Sequence, residues 1–68
     1  MTASDAPQLH DAVRLVVDLP DDGLTAGRVG AVVMVHDAPV AAYEVEFADE
    51  DGRTVALLAL LPAQVEPA

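Results

Sequence analysis

The side chains that could support nucleophilic or acid–base chemistry are few and poorly spaced. The candidates are the hydroxyls of Thr2, Ser4, Thr25 and Thr54 and the imidazoles of His10 and His36. A catalytic triad needs a base within hydrogen-bond reach of its nucleophile, and an acid that orients the base. His36 and Asp37 are adjacent along the chain, which is a poor geometry for such a pair. We therefore expect His36 to face solvent at a strand end, and we expect no enzyme activity.

Carboxylates are the other groups that could take part in catalysis or bind a metal ion. Asp49 to Gly52 could hold a hard cation, but a calcium loop continues to a distal Glu over about twelve residues. A polar hairpin tip is the preferred interpretation, and Asp21 to Gly23 is interpreted in the same way. Glu44 and Glu46 share one strand face, which we interpret as a solvated or partner-binding face. With no cysteine in the chain, we expect no disulfide and no thiolate metal site. We also expect no other metal site and no cofactor.

The net charge is −9, because the chain has twelve acidic residues, three arginines and no lysine. Such a surface repels phosphate backbones and anionic membranes, so we expect neither nucleic acid nor a membrane as partner. It suits a basic protein. The alternative is that acidity serves only solubility or salt adaptation.

The length predicts one domain of 68 residues. We expect residues 1–8 to be disordered and residues 9–66 to form the folded part. The N-terminus lacks the basic flank and apolar centre of a signal peptide. The longest apolar run, Val55 to Leu61, is shorter than a membrane span. These features predict a cytoplasmic protein.

Alternating apolar and polar residues predict five short strands and no long helix. The strands are expected at Ala12–Asp18, Val29–His36, Ala42–Phe47, Arg53–Leu58 and Gln64–Glu66. A short helical turn is expected at Leu60–Ala63, before the last strand. This pattern predicts a small all-β barrel.

Alternation also predicts which side chains face the core. Tyr43, Val45 and Phe47 should point inward, with Glu44 and Glu46 outward. In the second strand the same rule places Val32 and Met34 together on the outer face. Gly30 inside that strand indicates a bulge or a close backbone approach, and Leu24 is expected to plug one end of the core.

Two surface features predict protein binding. The run from Val55 to Leu61 is apolar at nearly every position, so one of its faces is either exposed or covered by the barrel itself. The predicted apolar patch comprises Val16, Val32, Met34, Leu58 and Leu61. The predicted acidic patch, which would steer a basic partner, comprises Asp21, Asp22, Glu44, Glu46, Asp49, Glu50 and Asp51.

Three segments carry a family resemblance: Gly27-Arg28-Val29-Gly30-Ala31-Val32-Val33, Tyr43-Glu44-Val45-Glu46-Phe47, and Leu60 with Val65. They resemble a bacterial family of short, uncharacterised SH3-like domains and, more distantly, the barrel of the nitrile hydratase β subunit and its accessory proteins. The resemblance implies a five-stranded SH3-like barrel. It also implies a role as an enzyme-accessory subunit or assembly chaperone, or as an antitoxin-like or immunity-like partner.

The glycine-rich segment is also similar to RNA-binding motifs of ribosomal proteins and elongation factors, but the basic residues and exposed aromatics that contact RNA are missing. We therefore expect a non-enzymatic protein-binding module that is an accessory or inhibitory partner of another bacterial protein. An enzyme-accessory subunit related to nitrile hydratase accessory proteins is the first alternative. A self-assembling structural subunit, forming a homo-oligomer, is the second.

Overall fold

A computed structural model describes residues 6–68 and shows one five-stranded antiparallel sheet. The strands are β1 (Ala12–Leu15), β2 (Val29–His36), β3 (Ala42–Ala48), β4 (Thr54–Leu60) and β5 (Val65–Pro67). Their order across the sheet is β4-β3-β2-β1-β5. Short 3-10 turns occupy Pro20–Asp22 and Pro62–Gln64. The prediction of an all-β, five-stranded fold with a helical turn before the last strand is confirmed.

The core lies on one side of this sheet. Phe47, Leu15, Val13, Val32 and Val45 are its largest fully buried side chains. Leu24 is buried beside them, as expected. Leu60 of β4 and Val65 of β5 belong to the same cluster. Because β4 and β5 are the two edges of the sheet, sharing one core requires the sheet to curl.

At Gly30 the neighbouring strand β3 leaves no room for a side chain on β2. A Cβ added there would lie 2.7 Å from Val45 Cγ1, 2.8 Å from the carbonyl oxygen of Glu46 and 2.9 Å from Phe47 Cδ1. All three distances are shorter than side chains tolerate. The close backbone approach predicted at Gly30 is confirmed, and it allows Phe47 to fill the core beneath β2.

A bulge in β2 corrects the predicted position of Val32. Val32 pairs with Val45, whereas Met34 pairs with Glu44, so Val33 is an extra residue in the ladder. An extra residue breaks strict alternation. Val32 therefore points into the core, with 0% exposure, while Met34 remains exposed. The assignment of Val32 to an outer apolar patch was wrong.

A second bulge, in β4, corrects the predicted position of Leu58. Phe47 pairs with Ala56 but Ala48 pairs with Thr54, which leaves Val55 as the extra residue. The shift places Leu58 opposite Val45, and its partly buried side chain packs against the core. Leu57, opposite Glu46, is the exposed leucine.

Several strand and turn boundaries also differ from the prediction, and the largest differences are at the ends of β1 and β4. β1 ends at Leu15 rather than Asp18, because beyond it the chain turns away and Leu19 forms a bridge with Leu24. β4 extends to Leu60, and the 3-10 turn starts at Pro62. Proline is favoured at the first position of a helical turn because it has no N–H to leave unpaired.

Residues 1–5, which include the candidates Thr2 and Ser4 and most of the segment predicted to be disordered, lie outside the described residues. Between residues 6 and 68 there is no helix long and apolar enough to cross a membrane.

Candidate partner-binding surface

The connection between β3 and β4 is a polar hairpin tip, as predicted. The Asp49 carboxylate accepts hydrogen bonds from the backbone N–H groups of Asp51 and Arg53, each at 2.9 Å. Gly52 has a φ of 83°, a left-handed conformation that glycine adopts without strain. Asp49 therefore shapes the turn, whereas Glu50 and Asp51 are exposed.

The hairpin supports an exposed surface that we call the acidic–apolar face. It consists of two cross-strand rows, Leu57–Glu46–Ala31 and Ala59–Glu44–Met34, running from β4 across β3 to β2. Side chains directly opposite one another in antiparallel strands have Cβ atoms about 4.5–5.5 Å apart. Each carboxylate of β3 is thus flanked on both sides by apolar side chains.

Polar neighbours hold the two glutamates of this face. The Thr54 hydroxyl donates a hydrogen bond to the Glu46 carboxylate. His36 Nε2 lies 3.7 Å from Glu44 Oε2. His36 is exposed at the end of β2, as predicted, and its carboxylate neighbour is Glu44.

Two of the three arginines are engaged elsewhere on the domain. Arg14 Nη1 of β1 forms an ion pair with Glu66 Oε2 of β5 at 3.0 Å. Arg28 donates from Nη2 to the carbonyl oxygen of Ala48 at 3.1 Å, and so connects the β1–β2 loop to the start of the hairpin. Neither contact neutralises Glu44 or Glu46.

The apolar members of the face are strongly exposed. The relative solvent exposure is 57% for Leu57 and 47% for Met34. Val55 at the β4 bulge and Val29 at the start of β2 are also exposed. A group of exposed apolar side chains on one sheet face is typical of interaction surfaces.

The structure does not bring the predicted apolar residues together. Val32 is in the core and Leu58 faces the core, as described above. Val16 and Leu61 are exposed, but they lie beside the second 3-10 turn, where the Val16 N–H donates to the carbonyl of Gln64. Met34 is the one predicted apolar residue that lies on the acidic–apolar face.

The predicted acidic residues divide between two regions. Glu44, Glu46, Asp49, Glu50 and Asp51 all belong to β3 and the hairpin tip that follows it. Asp21 and Asp22 belong to the first 3-10 turn, in the β1–β2 loop. The β3–β4 hairpin therefore carries the main concentration of negative charge.

Sequence reasoning missed Leu57, Ala59 and Ala31. Pairing β4 against β3 by simple alternation from the hairpin would have turned Leu57 inward, because it omits the bulge at Val55. No cavity, and no group of three or more side chains able to hold a metal ion, is found within residues 6–68.

Comparison with known proteins gives one match. A family model described as a domain of unknown function, DUF4926, matches residues 9–67. Comparisons with curated proteins and with solved structures give no match. The match covers the whole five-stranded sheet, and the chain belongs to the DUF4926 family of short uncharacterised domains.

Proposed function

We propose that this chain is a non-enzymatic protein-binding module whose partner is a basic protein that docks on the acidic–apolar face. The observation that carries the proposal is the placement of Glu44 and Glu46 between exposed apolar residues on one sheet face. Apolar contacts would supply binding free energy, and the carboxylates would set partner choice and association rate.

The net charge supports a basic partner. Opposite charges steer diffusional encounter and raise association rates, and the effect weakens as salt screens them. Because no arginine among residues 6–68 forms an ion pair with Glu44 or Glu46, the face presents negative charge to an approaching molecule.

The test is an affinity capture with two charge-reversed variants. Glu44→Lys plus Glu46→Lys changes the face, and Asp21→Lys plus Asp22→Lys makes the same change of charge on the β1–β2 loop. We expect the first variant to lose the partner that the wild type retains, and the second to keep it. Equal retention by both variants, or an association rate that does not change with salt, would contradict the proposal.

The captured protein separates the roles within this class. A single basic protein at equal stoichiometry identifies an inhibitory partner of the antitoxin or immunity type, acting in the cytoplasm. A large enzyme identifies an accessory subunit, as the likeness to nitrile hydratase accessory proteins suggests.

A self-assembling structural subunit is the second candidate, because the edge strand β4 contains no charged residue or proline that would prevent strand pairing, although the net charge of −9 opposes contact between two copies. Self-association of the purified chain, with no other protein captured, would identify this role.

A further inference from the structure

The two edges of the sheet are protected very differently. β5 is three residues long and contains Glu66 and Pro67. Short length, charge and proline are the usual devices that prevent another strand from pairing with an edge. β4 is seven residues long, with the sequence TVALLAL, and contains neither a charged residue nor a proline.

Within residues 6–68, one side of β4 has no paired strand. β3 is the only described strand that neighbours β4, and antiparallel pairing uses the N–H and C=O groups of alternate residues for one neighbour. The remaining groups point towards the open edge. No loop within residues 6–68 forms a backbone hydrogen bond with Thr54–Leu60. After the bulge at Val55, the stretch from Ala56 to Leu60 pairs regularly with β3 and can therefore serve as a template.

We propose that β4 takes an extended segment of the basic partner as a sixth strand of the sheet. This inference rests on the proposed function and specifies how the partner binds. Main-chain hydrogen bonds to the β4 edge would supply affinity, and alternate side chains of the segment would supply specificity.

The outer side chains of the added strand meet the acidic–apolar face. Neighbouring strands lie about 4.8 Å apart, so the added strand lies about 10 Å from β3. An arginine or lysine opposite Leu57 lays its apolar stem on the exposed leucine and brings its charge towards Glu46. A basic side chain opposite Ala59 reaches Glu44 over a small methyl group.

The inner side chains of the added strand meet a different environment. They lie beside Ala56 and Leu58, which are partly buried and pack against the core. Apolar side chains at these positions cover the remaining exposed hydrocarbon. The segment is therefore one in which basic and apolar residues alternate over about five residues, as strand periodicity requires.

Charge argues against a second copy of this chain on the same edge. Two β4 strands would offer each other no basic side chain, since Thr54–Leu60 has none. Each copy carries a net charge of −9. Pairing the two edges would bring Glu44 and Glu46 of both copies towards one another, and like charges repel.

The experiment uses the full chain and an octapeptide of alternating valine and arginine with blocked ends. We expect salt-sensitive binding, with new amide protection confined to Thr54–Leu60 in hydrogen-exchange NMR. Two further peptides carry N-methyl groups on the valines only or on the arginines only. Because the N–H groups of alternate residues point to one edge, one methylated peptide should lose affinity by about tenfold, the equivalent of one or two hydrogen bonds, while the other retains it.

Matched protein variants complete the test. Leu57→Lys places a positive charge on the edge strand and should weaken the peptide by about tenfold, while Val40→Lys, an equal change at an exposed loop position, should leave affinity unchanged. Equal binding of all three peptides would overturn strand addition while leaving a basic partner intact. Failure of the unmethylated peptide to bind would also overturn it. So would a dimer of the chain that forms without peptide and protects the β4 amides from exchange. Failure of the proposed function itself is recognised separately, by charge-reversed variants that retain the captured partner equally.

Discussion

Replacing Gly30 with alanine tests the tight contact between β2 and β3. The new methyl group would lie within 3 Å of Val45 Cγ1, the Glu46 carbonyl oxygen and Phe47 Cδ1. The two side chains can shift slightly, but the carbonyl belongs to β3 and moves only with the strand. Overpacking of this kind costs about 1–3 kcal/mol. The loss of glycine from the unfolded chain offsets about 0.4–1 kcal/mol.

Taking the middle of each range, the net expectation is destabilisation by about 1.3 kcal/mol. For a domain of this size each kcal/mol lowers Tm by about 4–8 °C, so Tm should fall by about 5–10 °C. In urea, with a slope near 1 kcal/mol per M, the midpoint should fall by about 1.3 M at an unchanged slope. Far-UV circular dichroism measures both quantities, since the chain has no tryptophan.

Ala31→Val is the matched control, because it adds methyl groups to the next residue of the same strand on the exposed side. Its free energy of unfolding should change by no more than about 0.5 kcal/mol. A Gly30→Ala variant as stable as the wild type would refute the close approach of β2 to β3. So would a double variant with Val45→Ala whose destabilisation is simply additive, because removing Cγ1 should relieve one of the contacts.

Two further predictions concern the β2 bulge and the hairpin tip. Val32→Ala should cost about 2 kcal/mol, whereas Met34→Ala should change stability by less than about 0.5 kcal/mol, and equal effects in urea denaturation would contradict the bulge. Asp49→Ala should cost about 1 kcal/mol and accelerate hydrogen exchange at the amides of Asp51 and Arg53, since both lose their acceptor; unchanged exchange there would contradict the turn.

The parts of the fold that the sequence predicts are those where polar residues mark one face. Tyr43 to Phe47 alternates with two glutamates, and a reversed setting would bury both charges, so only one orientation is physically acceptable. The hairpin tip carries its own turn chemistry in Asp49 and Gly52. The five strands and the turn before β5 are predicted because glycine, proline and acidic residues, which favour turns, separate the apolar segments.

The parts that the sequence does not predict are the faces of β2 and β4. Both strands are apolar on both sides, so alternation contains no information about which side is buried. The extra residues Val33 and Val55 each shift the alternation by one position. For this reason Val32 and Leu58, predicted to be exposed, face the core, and Leu57 completes the acidic–apolar face. Nothing in the composition of either strand marks the position of its bulge.

The bulge at Val55 has a consequence for how relatives of this domain can diverge. Moving β4 by one residue would exchange Leu57 for Leu58 and bury nearly the same amount of hydrocarbon, so the strand itself has almost no preference between the two settings. The register of β4 against β3 is therefore set by the polar turn that precedes β4. Insertion or deletion near residues 49–55, rather than substitution within the strand, would therefore give a relative a new outer surface with a core of nearly the same apolar volume.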